Sequence, residues 1–306
     1  MANKKNIMKL RSVFFSIAVI AASQAKAQQL FTFSQFLQHN FVFNPAAAGA
    51  NDQASIGGTY RKMWSGIDGG PQTTFLYGDK YFAKKNTGVA VVLYDDKTGP
   101  TSRTGGQINL SYSIQLDGEG RKLMAGLGIN VLQYKINKAA IAEDIPDDPL
   151  LASSGNTIKG DGSVGLYYKG KKFFFGASMQ NIIQAKFNFI KTTSNPEGKL
   201  YRHYYLIGSY DWQTDDETKL IPNATIQFVP GLPADISAGV KLEHKDLVWI
   251  GFNYHHKQSY TAYLGVKINH MLAVGYAYDE YSTPLSLFDD GGGGHEISLR
   301  YFFGKK

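Results

Sequence analysis

Residues 107–116 read Gln107-Ile108-Asn109-Leu110-Ser111-Tyr112-Ser113-Ile114-Gln115-Leu116. In an extended chain Ile108, Leu110, Tyr112, Ile114 and Leu116 share one face, and Gln107, Asn109, Ser111, Ser113 and Gln115 share the other. This is a strict period of two, the mark of a β-strand between an apolar and a polar environment. The pattern recurs. Leu123, Ala125, Leu127, Ile129 and Val131 oppose Met124, Gly126, Gly128 and Asn130; Ile236, Ala238, Val240 and Leu242 oppose Asp235, Ser237, Gly239 and Lys241; Ala262, Leu264, Val266 and Ile268 oppose Tyr263, Gly265, Lys267 and Asn269.

Working outward from that stretch gives about fourteen such segments, an even number of roughly ten-residue strands. They fall near residues 55–64, 72–82, 87–95, 103–116, 121–135, 159–169, 171–183, 201–213, 218–229, 234–243, 246–256, 259–268, 271–281 and 295–303. The expected fold is all-β, a transmembrane outer-membrane barrel of antiparallel strands. Its connections tend to alternate in length, as in a membrane barrel, although the outer links after Lys257 and around Pro230 are short. Short links lie near 84–86, 117–120, 170, 214–217, 244–245 and 269–270, and longer ones near 65–71, 96–102, 136–158, 184–200, 230–233 and 282–294. In that phase both barrel ends lie on the periplasmic side. Ile297, Leu299, Tyr301 and Phe303 give the last strand the alternation needed to pair with the first. A soluble β-sandwich also shows period-two strands, but here the polar faces are rich in Gly, Asn, Ser and Gln. The aromatics Tyr60, Trp64, Tyr81, Phe82, Tyr94, Tyr134, Tyr210, Trp212, Trp249, Tyr276 and Tyr278 gather near strand ends, as an interfacial girdle would.

The start of the chain fits export. Lys4, Lys5, Lys9 and Arg11 precede a short apolar stretch from Ser12 to Ala22, and Ala25-Lys26-Ala27 has the small-x-small spacing of a signal-peptidase site. Residues 1–27 read as a signal peptide cleaved between Ala27 and Gln28, 28–54 as a periplasmic or plug segment, and 55–306 as the barrel. The apolar stretch is too short to span a bilayer. Without its five basic residues the net charge of +7 falls to +2, from 27 basic against 25 acidic residues. Scattered charges of that balance exclude a nucleic-acid face, and the absence of cysteine excludes thiolate chemistry and cysteine zinc sites. Residues 28–54 carry Phe31, Phe33, Phe36, Phe41 and Phe43, too apolar for a free tail. They are expected to fill the barrel mouth or dock on a periplasmic partner.

Catalytic, cofactor and metal sites are not found. Gly118-Glu119-Gly120 and Gly291 to Gly294 are turn devices without the helix that would hold a phosphate. His255 and His256 point to opposite faces of a strand, and no serine stands in a nucleophile-elbow sequence. The acidic stretch 143–149 has carboxylates that suit Ca²⁺ but reads first as a proline-stiffened outer loop. Arg61 falls within a strand, so its charge must face the lumen or the rim.

Four boxes near the amino end are more specific: Phe33-Ser34-Gln35-Phe36-Leu37; Phe43-Asn44-Pro45-Ala46-Ala47-Ala48-Gly49; the run from Tyr60 to Thr73; and Asp95-Asp96-Lys97-Thr98-Gly99-Pro100. In order and spacing they resemble the PorP/SprF family, outer-membrane proteins of the type IX secretion system of the Bacteroidetes. The resemblance implies a non-enzymatic barrel, localised to the outer membrane of a Gram-negative bacterium. It works with a periplasmic ring lipoprotein and ring protein, and with a secreted surface protein or gliding adhesin that bears a C-terminal sorting domain. Matching positions, and so candidate partner-binding residues, are Asn44, Pro45, Gly49, Tyr60, Arg61, Trp64, Gly66, Pro71, Asp96, Lys97, Gly99 and Pro100. The usual aromatic of the Asn-Pro-Ala box is replaced by Ala47. The competing reading is a porin-like channel for small molecules, and the amino-terminal segment discriminates the two: a pore needs an open lumen.

Overall fold

Strand alternation sorts the two environments directly. The computed structural model describes residues 32–51, 53–137, 155–187, 198–283, 285–287 and 289–304. Fourteen antiparallel strands form the wall: β1 (Ser55–Lys62), β2 (Gln72–Phe82), β3 (Thr87–Thr98), β4 (Thr101–Gln115), β5 (Lys122–Ile136), β6 (Asn156–Lys169), β7 (Phe173–Gln180), β8 (His203–Tyr210), β9 (Thr218–Phe228), β10 (Asp235–His244), β11 (Val248–His255), β12 (Ser259–Ile268), β13 (Leu272–Tyr281) and β14 (Gly294–Phe302). Each pairs with its neighbours in sequence, and β1 pairs with β14, Ser55 opposite Phe302 and Lys62 opposite His295. The cylinder therefore has no free edge, which a bilayer demands because lipid offers no partner to an unpaired N–H or C=O.

The greasy face of β4 and β5 points outward: Ile108, Leu110, Leu127 and Ile129 are exposed, the last two at 66% and 67%. Gln107, Asn109, Ser111 and Ser113 are buried on the inside. This inverts a soluble core. Apolar side chains meet lipid, and the enclosed face is polar.

The end that holds Ser55 and Phe302 also holds the short turns, and is called here the terminal end. Asn269 and His270 both have positive φ, as do Lys245 and Asp246, the conformation a tight turn matched to strand twist needs. In the link from β8 to β9 the backbone N–H of Glu217 donates to Asp215 Oδ1 at 2.8 Å and holds that carboxyl below its usual range. The longer links lie at the opposite, far end, with one correction. Residues 96–102 are not a loop, because β3 and β4 run on to Thr98 and Thr101 and only Gly99 and Pro100 turn between them. Asp96 is an inward strand residue that accepts from Thr73 Oγ1 at 2.7 Å and from Arg103 at 2.6 Å.

The aromatic girdle also needs correcting. Tyr60, Phe82, Tyr210, Trp212 and Tyr276 are exposed outward, but strand parity sends Tyr94 and Trp249 into the lumen. There each ring covers the glycine opposite it in register, Gly105 and Gly265 respectively, as Tyr77 covers Gly57. Trp64 packs edge-on against the inward-facing Tyr281, with ring centroids 6.5 Å apart, rather than against lipid. The acidic stretch 143–149 and the Ala27–Gln28 junction lie outside the described residues.

Charge on the outer face should cost by depth. Leu127→Arg, at mid-strand, is expected to lose about 2–4 kcal/mol of folding stability in phospholipid vesicles, and Ile268→Arg, at the terminal rim, about 0–1 kcal/mol. Denaturant titrations that gave equal losses would show that lipid depth does not govern this face.

Candidate functional site: the occupied lumen

Residues 33–50 lie inside the barrel, nearly all of them buried. They form a 3₁₀ turn (Phe36–Gln38), one α-helical turn (Asn40–Phe43) and a second 3₁₀ turn (Pro45–Ala47). None is long enough to satisfy its own backbone, so the wall does so. Asn109 Nδ2 donates to Phe41 O at 2.7 Å, Gln180 Nε2 to Val42 O at 2.7 Å and Phe43 O at 2.8 Å, Ser178 Oγ to Phe43 O at 2.7 Å, and Ser111 Oγ to Ala48 O at 2.7 Å. The inward Asn and Ser of β4 and the inward Ser and Gln of β7 therefore serve this segment.

The Asn-Pro-Ala box is its anchor. Asn44 Oδ1 accepts from Ala46 N–H at 2.9 Å, capping the turn that Pro45 begins. Asn44 Nδ2 donates to the backbone of two wall strands, Leu166 O at 2.9 Å and Ala177 O at 3.3 Å. Gly176 permits that approach, since a Cβ there would stand 2.8 Å from Asn44 Nδ2. Gly49 (φ 70°) closes the box, donating to Asp79 Oδ1 at 2.6 Å; a Cβ on it would stand 2.8 Å from Gly88 Cα, and a Cβ on Gly88 would run into Ala48 O.

Arg61 anchors the other end. It faces the lumen at 2% exposure, with its guanidinium 2.8 Å from Asp279 and 3.2 Å from Glu296 and bonded to Ser34 Oγ. Glu296 also accepts from Ser34 N–H at 2.7 Å and Gln35 N–H at 3.1 Å, and Asp279 from Ser34 Oγ at 2.9 Å and Thr261 Oγ1 at 2.5 Å. Nearer the terminal end Arg300 donates to Gln38 O at 3.0 Å and to Ser55 Oγ.

A second group of motif residues meets at the far rim. Gly99 N–H donates to Gly69 O at 2.8 Å, Met63 N–H to Pro71 O at 2.8 Å, Ser65 N–H to Gly293 O at 2.9 Å and Gly66 N–H to Asp289 Oδ1 at 3.3 Å. The loop from Trp64 to Pro71 is thus clamped between the Gly99-Pro100 turn and residues 289–293. Lys97 is exposed 3.5 Å from Asp95, and Tyr60 lies apart on the lipid face. The candidates therefore separate into a luminal set (Asn44, Pro45, Gly49, Arg61), with Asp96 also buried, and a rim set (Trp64, Gly66, Pro71, Gly99, Pro100). Asp279, Glu296, Arg300 and Asp79 were missed from sequence, although their inward phase was readable. Among the described residues, no three His, Asp or Glu are placed to hold a metal ion.

With the geometry in place, comparison with known proteins is direct. The model of a family described as type IX secretion system membrane protein PorP/SprF matches residues 25–301. No curated protein matches. Among solved structures, the CymD monoaromatic hydrocarbon channel aligns with a TM-score of 0.51 at 10% identity, over 87% of this chain and 93% of that one. Omp33 of Acinetobacter baumannii (TM-score 0.48, 9% identity, 82% and 98% covered) and the toluene transporter TbuX of Ralstonia pickettii (0.49, 10%, 86% and 93%) are similar to a like degree. At such identities the likeness is one of barrel architecture.

Two substitutions test the anchors. Arg61→Ala strands two buried carboxylates and is expected to cost about 3–5 kcal/mol, most of it recovered when Asp279→Asn and Glu296→Gln accompany Arg61→Met. Denaturant midpoints of the refolded barrels read this, and equal stability of the wild type and Arg61→Ala would remove the ion cluster as an anchor. Asn44→Ala should speed hydrogen exchange at residues 41–50 while leaving the strands of the wall protected.

Proposed function

Since the chain belongs to the PorP/SprF family of type IX secretion system membrane proteins and folds as an outer-membrane barrel, we propose that it is a non-enzymatic coupling component of that machinery. It serves the secretion or surface attachment of particular proteins by binding their C-terminal sorting domain or linking them to the periplasmic ring. The terminal end faces the periplasm and its ring lipoprotein and ring protein; the far end faces outward.

One observation carries this reading: the barrel's own chain occupies its lumen, and the inward polar side chains of β4 and β7, with the Arg61, Asp279, Glu296 and Arg300 group, are spent on that plug. A diffusion pore of the porin kind keeps its polar lining for water and solute, which makes the porin-like alternative the weaker one. The far rim supports the partner role. Two boxes distant in sequence, the loop from Trp64 to Pro71 and the turn at Gly99-Pro100, join there into one surface, with Gly66, Asp68, Gly69, Lys97 and Gly99 exposed. A clamped loop loses little entropy when it binds.

The decisive experiment is mild detergent purification of the tagged protein from its native outer membrane, with mass spectrometry of what accompanies it and planar-bilayer recording of the purified barrel. Copurifying ring components or a large secreted surface protein, with no conductance, is the expected result. A barrel that comes alone and conducts would establish the pore reading.

A further inference from the structure

The plug seals the two sides of the lumen differently. Against β3 to β7 it is pressed onto backbone, with Asn44 bonded to the strands and Gly49 packed on Gly88. Against β8 to β12 it leaves two cavities. One, of about 650 Å³, opens between residues 35–38 and the terminal half of the wall, with Lys241, Trp249, Asn253 and Lys267 in its lining. The other, of about 30 Å³, lies toward the far rim and is lined by Tyr205, Thr225, Gln227, Asp235, Ser237 and His255. Phe36 is the residue common to both linings.

Some polar atoms along this side are bonded, as Asn253 Nδ2 is to Ser34 O at 3.1 Å, but others lack protein partners. Tyr205 Oη, Thr225 Oγ1, Asp235 Oδ1 and Ser237 Oγ around the small cavity, and Asn253 Oδ1 at the larger one, are buried and unbonded. Tyr205, Ser237 and Asn253 are each at most 3% exposed. Such groups are costly to leave dry, and about 30 Å³ is room for a water-sized guest with several polar partners. Strand β10 extends the pattern from rim to rim: its inward residues are Asp235, Ser237, Gly239, Lys241 and Glu243, with no apolar side chain among them. A wall built only to pack a plug would not need this.

We propose that a polar passage for water and small hydrated ions runs along β10 between plug and wall, and that the ring of Phe36 is its barrier. Phe33 provides the contrast. It is as deeply buried, but it lines neither cavity and its ring packs on His39, Phe43 and Phe75. Asp235, at the far mouth, biases the passage toward cations.

The test uses the purified full-length barrel in planar bilayers, with folding checked by heat-modifiable migration. Wild type and Phe33→Ala are expected to be silent in potassium chloride, and Phe36→Ala to give stepwise currents. Adding Asp235→Asn to Phe36→Ala should move the reversal potential in a salt gradient toward weaker cation preference. Should Phe36→Ala not fold, Phe36→Val carries the same test, read also by labelling of Ser237→Cys with a small methanethiosulfonate from the terminal side. That label should be slow with Phe36 present and fast without it. A folded Phe36 variant that stays silent, a wild type that conducts as well as the variant, or a Phe33→Ala barrel that conducts equally would overturn the proposal. None of these outcomes depends on a secretion partner, so the passage and the coupling role fail separately.

Discussion

Every backbone N–H and C=O in the hydrocarbon layer must find a partner within the protein, and the rest of this structure follows from that requirement. It forces the strands to close, here through β1 against β14. About eight strands enclose a space that side chains can fill; fourteen enclose more. The additional space is taken by residues 33–50, whose short turns bring their own unsatisfied carbonyls into the lumen. The inward Asn109, Ser111, Ser178 and Gln180 meet them at 2.7 to 2.8 Å. One accounting rule thus explains the closed wall, its polar interior and the chemistry that seats the plug.

The seating is uneven. On one side contact is backbone to backbone, permitted by glycines and organised by Asn44; a shift of any size would break several bonds at once. On the other, the plug presents Phe36 to a polar strand and leaves room beside it. The plug thus has one immovable flank and one that is merely closed.

Much of this was legible in the sequence because lipid and lumen impose opposite demands on alternate residues, so each strand announces itself locally. All fourteen segments could be placed from that alternation. What failed depended on distant partners. Residues 96–102 read as one of the longer links, yet Asp96 is a strand residue satisfied by Thr73 and Arg103 from the neighbouring strands. Tyr94 and Trp249 read as girdle residues because they lie near strand ends, whereas each is turned inward over a glycine known only from the register. The Asn44 box was recognisable as a motif, but its task was not, because the carbonyls it binds are 122 and 133 residues away.

The Arg61 cluster shows why plug and wall belong to one cooperative unit. Arg61 and Glu296 stand opposite each other on the closing seam, and Asp279 is one strand further on. A lone guanidinium facing two buried carboxylates leaves one negative charge in excess, and such an excess is tolerated only where other donors converge on it. Those donors are the Ser34 and Gln35 N–H groups and the Ser34 hydroxyl, all from the plug, joined by Thr261 from the wall. Without the plug the seam would hold under-solvated carboxylates; without the seam the plug would lose its first anchor. Closing the barrel and filling it are therefore energetically a single event, and what displaces residues 34–35 must act on the β1–β14 seam as well.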